Sequence, residues 1–173
     1  MSAEQGSNRN KVKKLCIYAL LVAACMVAGY VESFIPTNML VPGCKIGLSN
    51  AVALILVAKG DIKGAFSVNI TRILLFALIF GNLFSLLFSL SGGIVSLAVT
   101  SLLSKIKKVS LIGISIAGAV THNIAQLIVS LFVTGYATLF YAPLLIVAGI
   151  LSGLLIGLLC SIIFKKLKTN GSF

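Results

Sequence analysis

The feature that most constrains this chain is a single long run, Val109–Phe164, without one Asp, Glu, Lys or Arg. A bilayer core is about 30 Å thick and takes about 20 apolar residues of helix to cross, so this run alone holds two spans. Shorter uncharged runs over Ile73–Ser104 and Leu15–Val31 add to it. Only 10% of the chain is charged and 59% is hydrophobic, whereas an ordinary soluble domain carries about 25% charged residues. The sequence is that of an all-α integral membrane protein, multi-pass and placed in the cell membrane, with the lipid bilayer as its main surroundings.

The charges present are lopsided, 14 Lys+Arg against 3 Asp+Glu for a net +11. In a soluble protein this balance points to nucleic acid. Here the positives bracket the apolar runs instead, as expected where Lys and Arg hold loops on the cytoplasmic side, and no nucleic-acid partner is expected. The pattern predicts six transmembrane helices: Lys14–Glu32, a short one over Ile46–Ala58, Gly64–Gly81, Leu83–Leu103 with an interruption at Gly92-Gly93, Ser110–Val133 and Leu139–Phe164. The first resembles a signal peptide but lacks an obvious cleavage site, so a retained helix is expected. Pro36, Pro42 and Gly43 mark an external loop over Ser33–Cys44. Residues 1–13 read as a disordered cytoplasmic tail, 14–166 as one transmembrane domain and 167–173 as a second cytoplasmic tail. Both termini are then cytoplasmic, and of the 14 positives only Lys45 and Arg72 fall outside the cytoplasmic set.

Much chemistry is excluded. Glu4, Glu32 and Asp61 are the only acids and cannot form paired Asp-rich motifs or an acidic metal cage. Cys16, Cys25, Cys44 and Cys160 have no C-x-x-C spacing and read as packing residues. There is no P-loop for a nucleotide. His122 is the only histidine and lacks Cys or carboxylate neighbours, so no metal, cofactor or catalytic residue is assigned.

What remains is a set of polar residues at membrane depth. Arg72 comes nine positions after Lys63, about 13 Å into the core at about 1.5 Å per residue. Snorkelling from there barely reaches the interface, and an ionisable residue at such depth marks a site by default. Glu32 is expected near the opposite interface, which leaves Arg72 without a resident carboxylate and suits it to an anionic ligand. Asn69, three residues earlier, shares its face. On the fifth helix, His122, Asn123 and Gln126 occupy one side, with Ser115 on the same stripe. In lipid such groups must face protein or water, so they either hydrogen-bond between helices or line a pocket. Lys45 and Asn50 belong to a glycine-containing entrance to the second helix, where free N–H groups and a positive charge favour anions. Two small-residue patterns allow close helix approach: Ala19 with Ala23 and Ala24 with Ala28 on the first helix, and Gly149, Gly153 and Gly157 on the sixth.

The segments Pro42-Gly43-Cys44-Lys45-Ile46-Gly47-Leu48-Ser49-Asn50 and Gly118-Ala119-Val120-Thr121-His122-Asn123-Ile124-Ala125-Gln126-Leu127, with the run from Arg72 through Gly81 to Ser91-Gly92-Gly93, resemble the Gx transporter family. That family is also labelled heptaprenyl diphosphate synthase component I and is similar to the S components of energy-coupling factor (ECF) transporters. The resemblance covers about Lys14 to Lys166. It implies a six-helix S-component-like bundle that captures its substrate externally; joined to the residues above, the expectation is a small, anionic, vitamin-like or isoprenoid-related molecule with Lys45, Asn50, Asn69, Arg72, Ser115, His122, Asn123 and Gln126 around it. It also implies a transmembrane coupling subunit, driven by cytoplasmic ATPases, on Ala19 and Ala23 or on Ala24 and Ala28. A chain with one Asp does not match the Asp-rich motifs of prenyl diphosphate synthases, so no enzyme activity of its own is expected. The alternative is an accessory membrane subunit of isoprenoid or quinone metabolism, or of flavin-linked extracellular electron transfer.

Overall fold

The computed structural model describes residues 2–34 and 47–169, which form six α-helices and, among the described residues, no strand. They are α1 (Ser2–Ser33), α2 (Leu48–Ala58), α3 (Ile62–Phe80), α4 (Leu83–Leu103), α5 (Leu111–Thr134) and α6 (Ala142–Thr169), with a 3-10 turn at Tyr136–Tyr141 before the last. Boundaries follow local chemistry. Asp61, Asn82 and Ser110 cap α3, α4 and α5 by accepting from the backbone N–H of Gly64, Ser85 and Gly113, each cap contributing about 1 kcal/mol. Gly135, at φ 86°, ends α5.

Five of these helices are long and apolar enough to cross a membrane. α2 is not: its 11 residues extend about 16 Å, half the hydrocarbon thickness. The expected six spans are therefore five plus a half-length helix. The physical reason lies at its ends, where Gly47 takes the left-handed conformation (φ 83°) immediately before Leu48 and Lys59-Gly60 turns the chain after Ala58. α2 is nonetheless a packing centre, touching α1, α3, α4 and α6. Val57 and Leu56 pack with Val22 and Cys25 of α1, Ala65 and Val68 of α3 and Leu97 of α4, while Ala51 and Leu54 pack with Ile114, Ile156 and Cys160. Cys25 and Cys160 are buried thiols directed at the Ser49 and Ala51 carbonyls of α2, which fits a packing role. Cys44 lies outside the described residues.

Two other expectations change. Gly92-Gly93 does not interrupt α4; both are buried and let α3 and α5 come close. A Cβ on Gly92 would stand 2.8 Å from the His122 ring, and one on Gly93 2.7 Å from Ile73 Cδ1. Helix α1 begins at Ser2, so residues that composition assigns to a disordered tail continue the helix, uninterrupted by proline and, from Asn8 to Ile17, exposed.

The closest pairing is α5 with α6, along the Gly149, Gly153, Gly157 stripe. A Cβ on Gly153 would stand 2.6 Å from Ile116 Cα, so the stripe brings backbones together as small-residue motifs do in lipid. The many exposed large apolar side chains, among them Leu20, Leu78, Phe132 and Phe140, suit a lipid-facing exterior.

Candidate ligand-binding site

Arg72 lies about midway along α3 and is half-buried. A guanidinium at that depth needs partners, and neighbouring helices supply neutral ones. Nη1 donates to Ser49 Oγ (2.8 Å), Nη2 to Asn50 Oδ1 (2.6 Å) and Asn69 Oδ1 (3.0 Å), and Nε to Asn69 Oδ1 (3.2 Å). Asn69 in turn donates to the Gly93 carbonyl of α4 at 3.2 Å. The first turn of α2 is thus tied through Arg72 to α3 and on to α4.

The N-terminus of α2 has a second tie. Gly47 N–H donates to Glu32 Oε1 at 2.5 Å, and a carboxylate is favoured at the positive end of a helix dipole. Glu32 is only 7% exposed. It does not lie apart from Arg72, as its place in the sequence suggested; both line one chamber, without an ion pair between them among the described residues. Glu32 falls two helical turns after Cys25 and shares its buried face, a spacing that places it inward without saying which helix it meets.

His122, Asn123 and Gln126 complete that chamber with Ser49, Asn50, Ser89 and Ser152. All three α5 residues are buried, and Asn123 donates to the Leu145 carbonyl of α6 at 2.8 Å. A second chamber, lined by Asn69, Ser96, Thr100, Ser115 and Gly118 among others, adjoins it through Gly47, Asn50, Ala119 and Ser152. Each has a cavity volume of about 40 Å³, room for about three waters. Six of the sequence-predicted residues thus meet around one polar chamber (Asn50, Arg72, His122, Asn123, Gln126) or bridge to it (Asn69), and Ser115 opens onto the adjoining one. Lys45 lies outside the described residues. Ser49, Ser89, Ser152 and Glu32 are additions that helix packing alone reveals.

At the opposite, basic end, Asp61 accepts from the Tyr18 hydroxyl and from Gly64 N–H and pairs with Lys14 at 3.5 Å. The Tyr18 hydroxyl, helped by Gly64 and Lys14, holds the Asp61 carboxyl below its ordinary value. Asp61 is therefore a clasp between α1 and the α2–α3 turn, well away from the Arg72 chamber. Among the described residues no group of three His, Cys, Asp or Glu could hold a metal.

The chain belongs to the family described as heptaprenyl diphosphate synthase component I, whose sequence model matches residues 21–163. No curated protein and no solved structure matches it.

Proposed function

We propose that this multi-pass membrane protein is the substrate-binding subunit of an uptake system, holding a small ligand between α2, α3 and α5. The observation that carries this reading is an arginine midway along a helix long enough to cross a membrane, held by neutral partners at the N-terminus of a half-length helix and facing a chamber. Discontinuous helices whose positive ends point at a mid-membrane site are a recurring device for binding anionic groups in transporters. Arg72 receives an acidic group of the ligand; Asn50, Asn69, His122, Asn123 and Gln126 orient it, and Ser115 lines the space beyond. The positive-inside rule puts the Lys59, Lys105 and Lys165 ends in the cytoplasm, so the Glu32 and Gly47 end faces outward. The narrow chambers, about 40 Å³ each, favour a ligand of few heavy atoms over a polyprenyl chain. Ala19, Ala23 and Ala24 are exposed, which leaves them open to a coupling subunit with its cytoplasmic ATPases.

A second reading follows from the family description, which names one component of a synthase: the chain then serves as an accessory, non-catalytic membrane subunit. Mass spectrometry of small molecules released from the purified protein, beside proteins that co-purify, separates the two. Uptake predicts a released ligand lost from Arg72→Ala and His122→Ala, with ATPases among the partners. Retention of the same molecule by both variants refutes the pocket, and a synthase partner with no ligand supports the accessory reading.

A further inference from the structure

We infer that the ligand is a small zwitterion, an amino-acid-like molecule whose acidic group meets Arg72 and whose protonated amine meets Glu32. This rests on the binding reading above and deepens it by naming the substrate class. The inference comes from the hydrogen-bonding capacity that the described residues around the chamber leave unused. A guanidinium has five N–H donors. Arg72 commits four, and one Nη1–H has no partner among the described residues. Glu32 commits Oε1 to Gly47, and Oε2 has no partner among the described residues. Gln126, 8% exposed, makes no hydrogen bond among the described residues, although it carries both donors and acceptors. All three line the same chamber.

Among the described residues, the unused groups therefore include both signs. A polar group that opens onto the chamber needs a partner there, from water or from a ligand, and a charge needs one more. A simple anion would satisfy the free N–H of Arg72 but set a second negative charge beside Glu32 in a low-dielectric space. A simple cation would do the same beside Arg72. A molecule carrying both charges a few bonds apart satisfies both residues and leaves the charges of Arg72 and Glu32 balanced, with the Gln126 amide free to bond either group.

The test uses full-length protein in lipid nanodiscs and two matched probe sets on common skeletons: β-alanine, propionate and propylamine, and phenylalanine, 3-phenylpropionate and phenethylamine. Thermal unfolding is followed at millimolar probe. In at least one set the zwitterion is expected to raise the midpoint by about 2 °C or more, with its singly charged relatives giving less than half of that. Glu32→Gln, which keeps an acceptor for Gly47 N–H, is expected to abolish the preference for the zwitterion. A carboxylate that stabilises as well as its amino acid, unaffected by Glu32→Gln, overturns the zwitterion and leaves the binding reading standing. No response to any probe also overturns the amino-acid class, and the released-molecule experiment then decides the binding reading independently.

Discussion

Replacing Arg72 by Met removes a side chain of similar length and apolar stem and deletes four hydrogen bonds, two of them to α2. Side-chain hydrogen bonds within membrane proteins average about 0.6 kcal/mol and reach about 1.7. The bonds to Ser49 and Asn50, at 2.8 and 2.6 Å, are charge-assisted and belong near the upper figure. Those to Asn69 lie within one helix and belong near the mean. The change also strands the Ser49, Asn50 and Asn69 oxygens and, among the described residues, leaves Glu32 without a positive charge in the chamber. Two effects oppose this: water in the chamber re-satisfies part of the loss, and the substitution lifts the cost of burying a guanidinium. The net expectation is a loss of about 3 kcal/mol, with Arg72→Lys about half as damaging because an ammonium cannot reach both α2 and Asn69. Reversible unfolding in mixed micelles, read by helical circular dichroism, measures it. An Arg72→Met variant as stable as the native protein, or more stable than it, would refute the idea that Arg72 anchors α2.

Three further outcomes follow from other parts of the structure. Gly153→Ala drives a Cβ into the Ile116 backbone and should cost about 1–3 kcal/mol in the same unfolding assay. Gly92→Ala pushes on the His122 ring rather than on backbone; the fold should persist while the affinity for the released ligand falls roughly tenfold, about 1.4 kcal/mol, by equilibrium dialysis. The Asp61 carboxyl is held below its ordinary 3.8 in the folded state, so its contribution is fully present above about pH 4 and is lost as pH falls through the lower folded value. Stability measured between pH 7 and pH 3 should therefore decline less on the acid side in Asp61→Asn than in the native protein.

The turns were the most legible part of the fold, because Lys59-Gly60-Asp61, Gly81-Asn82, Ser110 and Thr134-Gly135 carry their own capping and breaking chemistry. The glycine stripe of α6 was legible for the same reason: its spacing states a close approach before a partner is known. The polar side of α5 was readable too, since His122, Asn123 and Gln126 have no tolerable place against lipid. The meeting of Glu32 with Arg72 was not, because it depends on how α1 packs against α2 across residues far apart in sequence. The Gly92-Gly93 pair misled for a related reason. Glycine lowers helix propensity by only about 1 kcal/mol, and close contact with Asn69, Ile73 and His122 offsets it. The half-length of α2 showed only as shortness; that its N-terminus sits within the bundle required the Arg72 hydrogen bonds.

We propose that α2 begins inside the bundle and presents a ligand site between Arg72, Glu32 and Gln126. A structure of the protein extracted from its own membrane into lipid nanodiscs tests it most directly. The expected result is a bound molecule within hydrogen-bonding distance of Arg72 Nη1 and Glu32 Oε2, beside the first turn of α2. A molecule bound on another face, or an Arg72 turned out to lipid with the chamber closed, would contradict it.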